Sequence, residues 1–371
     1  MTFHTQDIHH TETQSLTLGF LTPHNVHDSC AFSGTAHHSM HALARAGGVE
    51  LRLLGNHRPP GLGNRLTRRL GRKTGGSVPP GPTDLTGLDV VVGLVATGLL
   101  DRLPPGMPFL HVTDATPGFL RHAYGWNIPE EADADEARVA RRSIAPVYSS
   151  RWMADRAKRE LGLDRAHALP FGINLAPATP MAKPPLRPIE LLFVGADWTR
   201  KGGEIALAAF HHLQDQGVPA HLTCVGRIPE HVRRVPGVTV TGFLDKTRPR
   251  HARRLCDLYA RAHLLVLPTR GDCTPMVIAE AMAHGTPVLA TDTGGIAEMI
   301  GRGGAGRTLP LTASPETWAR SIAEMTADAG AYGWMSDAAS DRAARYSWDV
   351  WAEGIARLAR EGLVRARARA A

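Results

Sequence analysis

The stretch HLLVLPTRGDCTPMVIAEAMAHGTPVLAT, residues 263–291, predicts a strand, a loop, a helix and a second strand. Its first apolar run, HLLVLP at 263–268, lacks polar alternation, which indicates a strand buried on both faces of a parallel sheet. TPVLAT at 286–291 is a second strand candidate. In open α/β sheets ligands bind outside the carboxyl ends of the strands, so the loop between the first strand and the helix is a candidate binding site.

The same alternation of apolar runs and helical stretches occurs in both halves of the chain. In the first half a helix is predicted at 33–47, and strands are predicted at SLTLGFL (15–21), VELRLLG (49–55), VVVGLVAT (90–97), PFLHVTDA (108–115) and APVYSS (145–150). In the second half a helix is predicted at about 202–216, and further strands at IELLFVG (189–195), AHLTCVG (220–226) and VTVTGFL (238–244). Strands separated by helices predict parallel sheets covered on both sides.

This repetition predicts the domain organisation. We expect an α/β protein with two Rossmann-like domains whose parallel sheets face each other across a cleft. The first domain would cover 1–173, and the proline-rich NLAPATPMAKPPLRP at 174–188 would be a linker. The second domain would cover 189–345, and 346–371 would form a final helix that packs back on the first domain.

Composition indicates the class of protein and limits the kinds of partner. An apolar content of 43% and a charged content of 21% are typical of a globular protein, and the net charge is +7. Such a balance permits nucleic acid, an anionic membrane or phosphorylated small molecules as partners and does not choose among them. From the motifs described below we expect no nucleic acid. Residues 51–83 hold six arginines and one lysine without an acid. This stretch is either a solvated loop or a surface that meets an anionic acceptor or lipid headgroups, as in peripheral membrane contact.

The cysteines give no sign of a disulfide framework or a zinc site, since Cys30, Cys224, Cys256 and Cys273 lack metal-ligand spacing. We expect no metal. The polar N-terminus lacks the pattern of a secretory signal, and the longest apolar run, 88–100, is too short to cross a bilayer. These features predict a cytoplasmic protein.

The start of the helix after HLLVLP suits a phosphate group. The Thr274 hydroxyl is predicted to cap the helix, and Pro275 at its first position would lose no hydrogen bond. The free N–H groups of Met276 and Val277 would then point at the ligand, with the positive end of the helix dipole behind them.

Two acids flank this phosphate site. Asp272 lies just after the strand and Glu280 lies about a turn and a half into the helix, so each could reach a hydroxyl-bearing ring beside a diphosphate. The alternative interpretation, which spacing alone leaves equally open, makes Asp272 an ordinary turn residue and Glu280 a solvated helix residue.

A second motif, FVGADWTRKGG at 193–203, predicts an anion clamp. The strand ends at Gly195, and two cations, Arg200 and Lys201, precede glycines that let a ligand approach the backbone. Each charge-assisted bond to a phosphate oxygen contributes roughly 1.5–3 kcal/mol when desolvated.

These two motifs together resemble the donor-binding half of the retaining GT-B-fold glycosyltransferases of family 4, over about 188–300. SSRWMADRAKRELGL and LPFGIN, between 149 and 174, also resemble the family's end of the first domain. The resemblance implies a metal-independent, retaining hexosyltransferase that uses a nucleotide-diphosphate sugar, most commonly UDP-linked, and no further cofactor. It also implies that the first domain, 1–173, binds the acceptor and that the second, 189–345, binds the nucleotide sugar.

The resemblance also implies roles for individual residues. Arg200 and Lys201 would hold the donor diphosphate. Asp272 stands at the first acid of the family's Glu–seven residues–Glu motif and would contact hydroxyls of the transferred sugar, and Glu280 at the second would hold the ribose. Lys201 and Asp272 are therefore candidate catalytic residues.

The backbone near Phe243 and Leu244 would line the base pocket. Two departures from the family pattern affect the donor site. Asp272 is one methylene shorter than the family's glutamate, which could alter the choice of sugar. Ala196 replaces an arginine often found after the glycine of the first loop, so the clamp must depend on the two later cations.

The first domain offers weaker candidates. Gly34, at a strand-to-helix turn, matches a family glycine loop that faces the donor phosphates. His111, Asp114 and Thr116 lie near a strand's carboxyl end, where similar enzymes place a polar residue beside the anomeric carbon. Of these we favour Asp114 as the catalytic residue, because His111 lies on the strand and could equally be a core histidine. The Asp-Ala-Asp at 133–135 resembles a metal motif but lies in an acidic run on a predicted helix, so we discount it.

We therefore expect a glycosyltransferase that acts on an acceptor hydroxyl, with a sugar-nucleotide epimerase or a non-catalytic sugar-nucleotide-binding protein as alternatives. A nicotinamide oxidoreductase is disfavoured because no predicted strand is followed by G-x-G-x-x-G with a downstream acid. The acceptor stays open between a glycan or lipid-linked intermediate and a secondary metabolite, and so do the sugar, the base and the oligomeric state.

Overall fold

The computed structural model describes residues 15–29, 31–55, 57, 84–175 and 183–370. Most of the basic stretch 51–83, the N-terminal tail, Cys30 and the middle of the 174–188 linker lie outside these residues, so the predictions made for them have no structural counterpart here. The described residues contain two six-stranded parallel sheets, as the alternating pattern predicts.

The N-terminal sheet has the strand order β2-β1-β3-β4-β5-β6, and every pair is parallel. Successive valines of β3 face opposite cores, Val90 and Val92 on one side and Val91 on the other, so the strand is apolar throughout because both faces are buried. The elements are β1 (Leu16–Leu21), α1 (Thr35–Arg45), β2 (Val49–Leu54), β3 (Val90–Leu94), α2 (Thr97–Leu100), β4 (Phe109–Thr113), α3 (Pro117–Tyr124), α4 (Glu131–Arg142), β5 (Ala145–Tyr148), α5 (Arg151–Leu161) and β6 (His167–Ala168).

The C-terminal sheet has the order β12-β11-β10-β7-β8-β9, again with parallel pairs. In β10, Leu265 and Leu267 face one core while Leu264 and Val266 face the other, which confirms the buried strand predicted at 263–268. The elements are β7 (Ile189–Gly195), α6 (Gly203–Asp215), β8 (Ala220–Gly226), β9 (Val238–Gly242), α7 (Pro249–Arg261), β10 (Leu264–Leu267), α8 (Met276–Ala283), β11 (Val288–Thr291), α9 (Ile296–Ile300), β12 (Gly306–Leu309), α10 (Pro315–Met325) and α11 (Ala329–Ala343).

The last helix, α12 (Trp348–Ala370), returns to the N-terminal sheet. Trp351 and Ile355 are buried in the core that α1 shares with β1 and β3. The indole N–H of Trp348 donates to the side-chain oxygen of Asn174 at 2.9 Å, and the Asn174 amide donates to the Ser33 carbonyl at 2.6 Å. After the C-terminal sheet the chain thus returns to the N-terminal half beside Asn174, where the first half ends.

No helix within the described ranges has both the length and the apolar character needed to cross a membrane.

Candidate active site

The two sheets meet at their carboxyl ends. Asp114, which follows β4, accepts a hydrogen bond from the hydroxyl of Thr274, which follows β10, at 2.6 Å. The loops that the sequence selects in each half therefore form one site between the sheets.

The clamp residues surround Asp272. The Lys201 ammonium lies 2.7 Å from both carboxylate oxygens, and the Arg200 guanidinium donates to Oδ1 at 3.0 Å. The Thr269 hydroxyl donates to Oδ2 at 2.6 Å. Two cations thus surround one buried acid after β7 and β10, and the Arg200 guanidinium also lies 3.5 Å from the Asp197 carboxylate.

Burial and charge act in opposite directions on this carboxyl. Burial alone would raise the pKa of Asp272, but the nearby Lys201 and Arg200 outweigh it and hold the pKa below its ordinary value. Asp272 is therefore ionised at neutral pH and keeps both cations in place before any ligand binds.

Glycines make the tight turn of the clamp loop possible. Gly202 has a left-handed φ of 75°, and a Cβ there would lie 1.9 Å from the Pro268 carbonyl oxygen. A Cβ on Gly195 would lie 3.0 Å from the Lys201 side chain. The Arg200 carbonyl also accepts from the Arg270 N–H at 2.7 Å, which ties the clamp loop to the loop after β10.

The predicted cap of the next helix is wrong. Helix α8 begins at Met276, Pro275 occupies the cap position, and no side chain caps the helix. The Thr274 hydroxyl donates instead to Asp114, and it lies 3.1 Å from the Ser149 hydroxyl. Met276 and Val277 form the first turn of α8, as their predicted role requires.

Glu280 is fully buried, so the alternative of a solvated helix residue is wrong. The Tyr259 hydroxyl donates to its Oε2 at 3.0 Å, and the Lys246 ammonium bonds its Oε1. Sequence reasoning missed both partners, because Tyr259 lies 21 residues and Lys246 lies 34 residues before Glu280.

The segment after β9 forms one wall of the site beside Glu280. Phe243 is 55% exposed, whereas Leu244 is buried in the core of the C-terminal sheet. Lys246 follows two residues later, so the exposed phenyl ring and the Lys246–Glu280 pair belong to neighbouring parts of the chain.

The wall contributed by the N-terminal sheet centres on Asp114. Its Oδ1 accepts from the hydroxyls of Ser149 and Thr274, each at 2.6 Å, and its carbonyl accepts from the Cys273 thiol at 2.9 Å. Burial raises the pKa of Asp114 above its ordinary value. Ser149 was not singled out in the sequence, although it begins the segment SSRWMADRAKREL that resembles the family.

Tyr124, at the end of α3, joins the same contact. Its hydroxyl accepts from the Cys273 N–H at 3.1 Å, and the Arg200 guanidinium carbon lies 4.5 Å from its ring centroid. A Cβ on Gly271 would lie 2.0 Å from the Ala123 carbonyl oxygen, so a glycine lets the two backbones approach.

The structure gives the other N-terminal candidates different partners. His111 is fully buried, with Nε2 3.2 Å from Glu136, which fits its interpretation as a core histidine. Thr116 caps α3 and donates to Glu160 at 2.7 Å. Gly34, with a left-handed φ of 89°, immediately precedes α1 at the predicted turn.

The acidic pair at 133–135 is engaged in ion pairs on α4. Asp133 pairs with Arg121 at 2.8 Å and Asp135 with Arg138 at 2.9 Å. Within the part of the chain that the structure describes, no group of three or more His, Cys, Asp or Glu side chains could hold a metal ion.

The C-terminal half is similar to a known protein family. Residues 188–328 match the model of the family described as "Glycosyl transferases group 1". The chain is 29% identical over 241 residues to a D-inositol 3-phosphate glycosyltransferase of Xylanimonas cellulosilytica, covering 60% of this chain and 58% of that one. It is 30% identical over 231 residues to a phosphatidyl-myo-inositol mannosyltransferase of Mycolicibacterium smegmatis, covering 60% and 57%. The chain thus spans less than two thirds of these relatives.

The fold has a close counterpart among solved structures. A sucrose-phosphate synthase from Thermosynechococcus elongatus superposes with a TM-score of 0.68 at 17% identity, over 93% of this chain and 98% of that one. The described residues therefore have the GT-B architecture, which confirms the predicted fold class.

Proposed function

We propose, because residues 188–328 match the model of the group 1 glycosyl transferases, that the protein transfers a sugar from a nucleotide diphosphate to an acceptor hydroxyl. The donor we propose is UDP-linked, and the anomeric configuration is retained. The observation that carries the proposal is the cluster of Arg200 and Lys201 around Asp272, at the carboxyl ends of β7 and β10 and facing the N-terminal half.

The cluster suits a leaving diphosphate. Breaking the bond between the anomeric carbon and the phosphate oxygen places negative charge on the diphosphate, and two fixed cations stabilise that charge more than they stabilise the ground state. Because Asp272 already orients both cations, little reorganisation is needed when the donor arrives. The first turn of α8 adds backbone N–H groups and the helix dipole.

The remaining donor contacts follow from the positions of the site residues. Glu280 would hold the ribose hydroxyls, with Lys246 and Tyr259 keeping its carboxylate oriented. The exposed ring of Phe243 gives the base a surface on which to stack. The sugar would then lie between Asp272 and the N-terminal wall.

The transfer itself needs an acceptor oxygen on the same face of the sugar as the departing phosphate. That oxygen forms the new bond to the anomeric carbon, and its proton passes to the leaving phosphate oxygen. Asp114 would line this point together with Ser149 and Thr274 and would orient hydroxyl groups there. No protein nucleophile is needed for this sequence.

The acceptor we propose is a polyhydroxylated ring, free or linked to a glycan or a lipid. The relatives' names support this class, because one acts on D-inositol 3-phosphate and another on phosphatidyl-myo-inositol. The small, polar surroundings of Asp114 suit such a ring.

A thermal-shift panel of UDP- and GDP-sugars, followed by mass spectrometry of products formed with D-inositol 3-phosphate and simple methyl glycosides, tests the proposal. We expect one donor to raise the melting temperature and to yield a product heavier than the acceptor by one sugar. Isomerised donor without transfer would indicate an epimerase. Donor binding without any product would indicate a non-catalytic binding protein. Either result would refute the proposed activity.

A further inference from the structure

We propose that Trp126 is a stacking platform for a second ring of the acceptor, which makes the preferred acceptor a glycoside of two or more rings. This inference rests on the proposed function and adds a subsite to it. It comes from three observations: the exposure of the indole, its position beside the clamp, and the rigid mounting of its loop.

The indole is unusually open for so large a side chain. Trp126 is 51% exposed, and its ring meets Tyr124 edge to face with centroids 5.3 Å apart. Single exposed apolar residues are common and carry no conclusion by themselves. A binding role for Trp126 is inferred from where the indole lies relative to Arg200.

Trp126 lies one ring away from the clamp. The Tyr124 ring contacts Trp126, and the Arg200 guanidinium lies 4.5 Å from the centroid of the Tyr124 ring. Arg200 in turn bonds Asp272 beside the proposed reaction centre. If the first ring of the acceptor lies beside Arg200 with its hydroxyl at the anomeric carbon, the second ring would lie over Tyr124 and Trp126.

The loop that carries the indole is fixed before any ligand binds. Gly125 ends α3 in the left-handed region with a φ of 65°, and the Trp126 carbonyl accepts from the Ile128 N–H at 2.9 Å. The Arg121 guanidinium donates to the carbonyls of Ile128 and Pro129 at 2.9 and 3.1 Å. Such preorganisation lowers the entropy cost of binding.

The chemistry of the platform suits a sugar ring. A pyranose has a face of C–H groups that packs on a flat aromatic surface, while its hydroxyls reach polar groups at the rim. Beyond Tyr124, the rim here includes the guanidinium of Arg200. A single indole beside one tyrosine is too small an apolar surface for an acyl chain.

Binding measurements on Trp126→Ala test the inference. The probes are methyl α-mannoside, methyl α-glucoside and the corresponding methyl disaccharides, titrated in the presence of UDP and followed by saturation-transfer NMR and calorimetry. We expect wild-type protein to bind at least one disaccharide about tenfold more tightly than its monosaccharide. The alanine variant should lose about that factor, typical of removing a tryptophan at a binding hot spot. UDP affinity and monosaccharide affinity should not change.

Two further variants control the experiment. Trp126→Phe keeps an aromatic face and should stay within about threefold of wild type, which separates stacking from loop collapse. Trp334→Ala removes another indole, 65% exposed, from α11 and should leave every affinity unchanged.

Several results would overturn the platform. These are equal disaccharide affinities in wild type and Trp126→Ala, no measurable glycoside binding to wild type, or a variant that loses only binding to anionic phospholipid vesicles. If UDP itself fails to bind wild type, the proposed function fails as well, and the two failures are thereby distinguished.

Discussion

Replacing Lys201 by methionine should affect folding and donor binding by separable amounts. The methionine keeps most of the side-chain volume but removes the ammonium that lies 2.7 Å from both oxygens of buried Asp272. The carboxylate then keeps Arg200 and Thr269 as its partners among the described residues.

The loss of stability follows from the uncompensated charge. Breaking a buried ion pair usually costs about 3–5 kcal/mol, and the two partners that stay lower this to about 2–3 kcal/mol. A double variant, Lys201→Met with Asp272→Asn, removes the uncompensated charge and should regain most of that stability.

Donor binding should respond differently. One charge-assisted bond to phosphate contributes roughly 1.5–3 kcal/mol, so either variant should bind the nucleotide sugar roughly 10- to 150-fold more weakly than wild type. The double variant should not regain this affinity, because neither of its new side chains carries a positive charge.

Urea unfolding and calorimetric titration with UDP-sugar measure the two quantities on the same samples. The reasoning is refuted if Lys201→Met binds the donor with wild-type affinity. It is also refuted if the double variant regains donor binding together with stability, since the lysine would then act only through the fold.

Two other substitutions test the contact between the halves. Gly271→Ala would place a Cβ 2.0 Å from the Ala123 carbonyl oxygen, so we expect the two halves to move apart at this contact. The kcat/KM should then fall about tenfold or more while the Tm stays nearly unchanged, and wild-type kinetics would contradict this. Burial raises the pKa of Asp114, so the folded state holds this proton more tightly than the unfolded chain. The contribution of Asp114 to wild-type stability therefore decreases as the pH rises above about 4. Asp114→Asn should therefore gain stability relative to wild type between pH 4 and pH 7 in urea unfolding, and a constant difference across that range would count against the raised pKa.

Much of the architecture could be predicted from local pattern. Apolar runs such as 90–97 and 263–268 are continuous because both faces of a parallel sheet are buried, and that property is visible in a single stretch of sequence. The motif around Arg200 and Asp272 likewise placed these residues at strand ends, since the loops are short and their glycines fix the turns.

The contacts across the cleft could not be predicted in this way. Thr274 has the sequence position of a helix cap, yet its hydroxyl bonds Asp114, 160 residues away. Tyr124 and Lys246 were missed for the same reason, because their partners are set by how the halves and helices pack. Local sequence carries no signal for such pairings, and the cap was predicted wrongly because a competing partner lay in the other half.

The most direct test of the central claim is a crystal structure with a UDP-sugar bound. The clamp predicts that Lys201 and Arg200 will each lie within hydrogen-bonding distance of the diphosphate oxygens, with the sugar between Asp272 and Asp114. A bound nucleotide whose phosphates touch neither cation, while both side chains keep their bonds to Asp272, would contradict it.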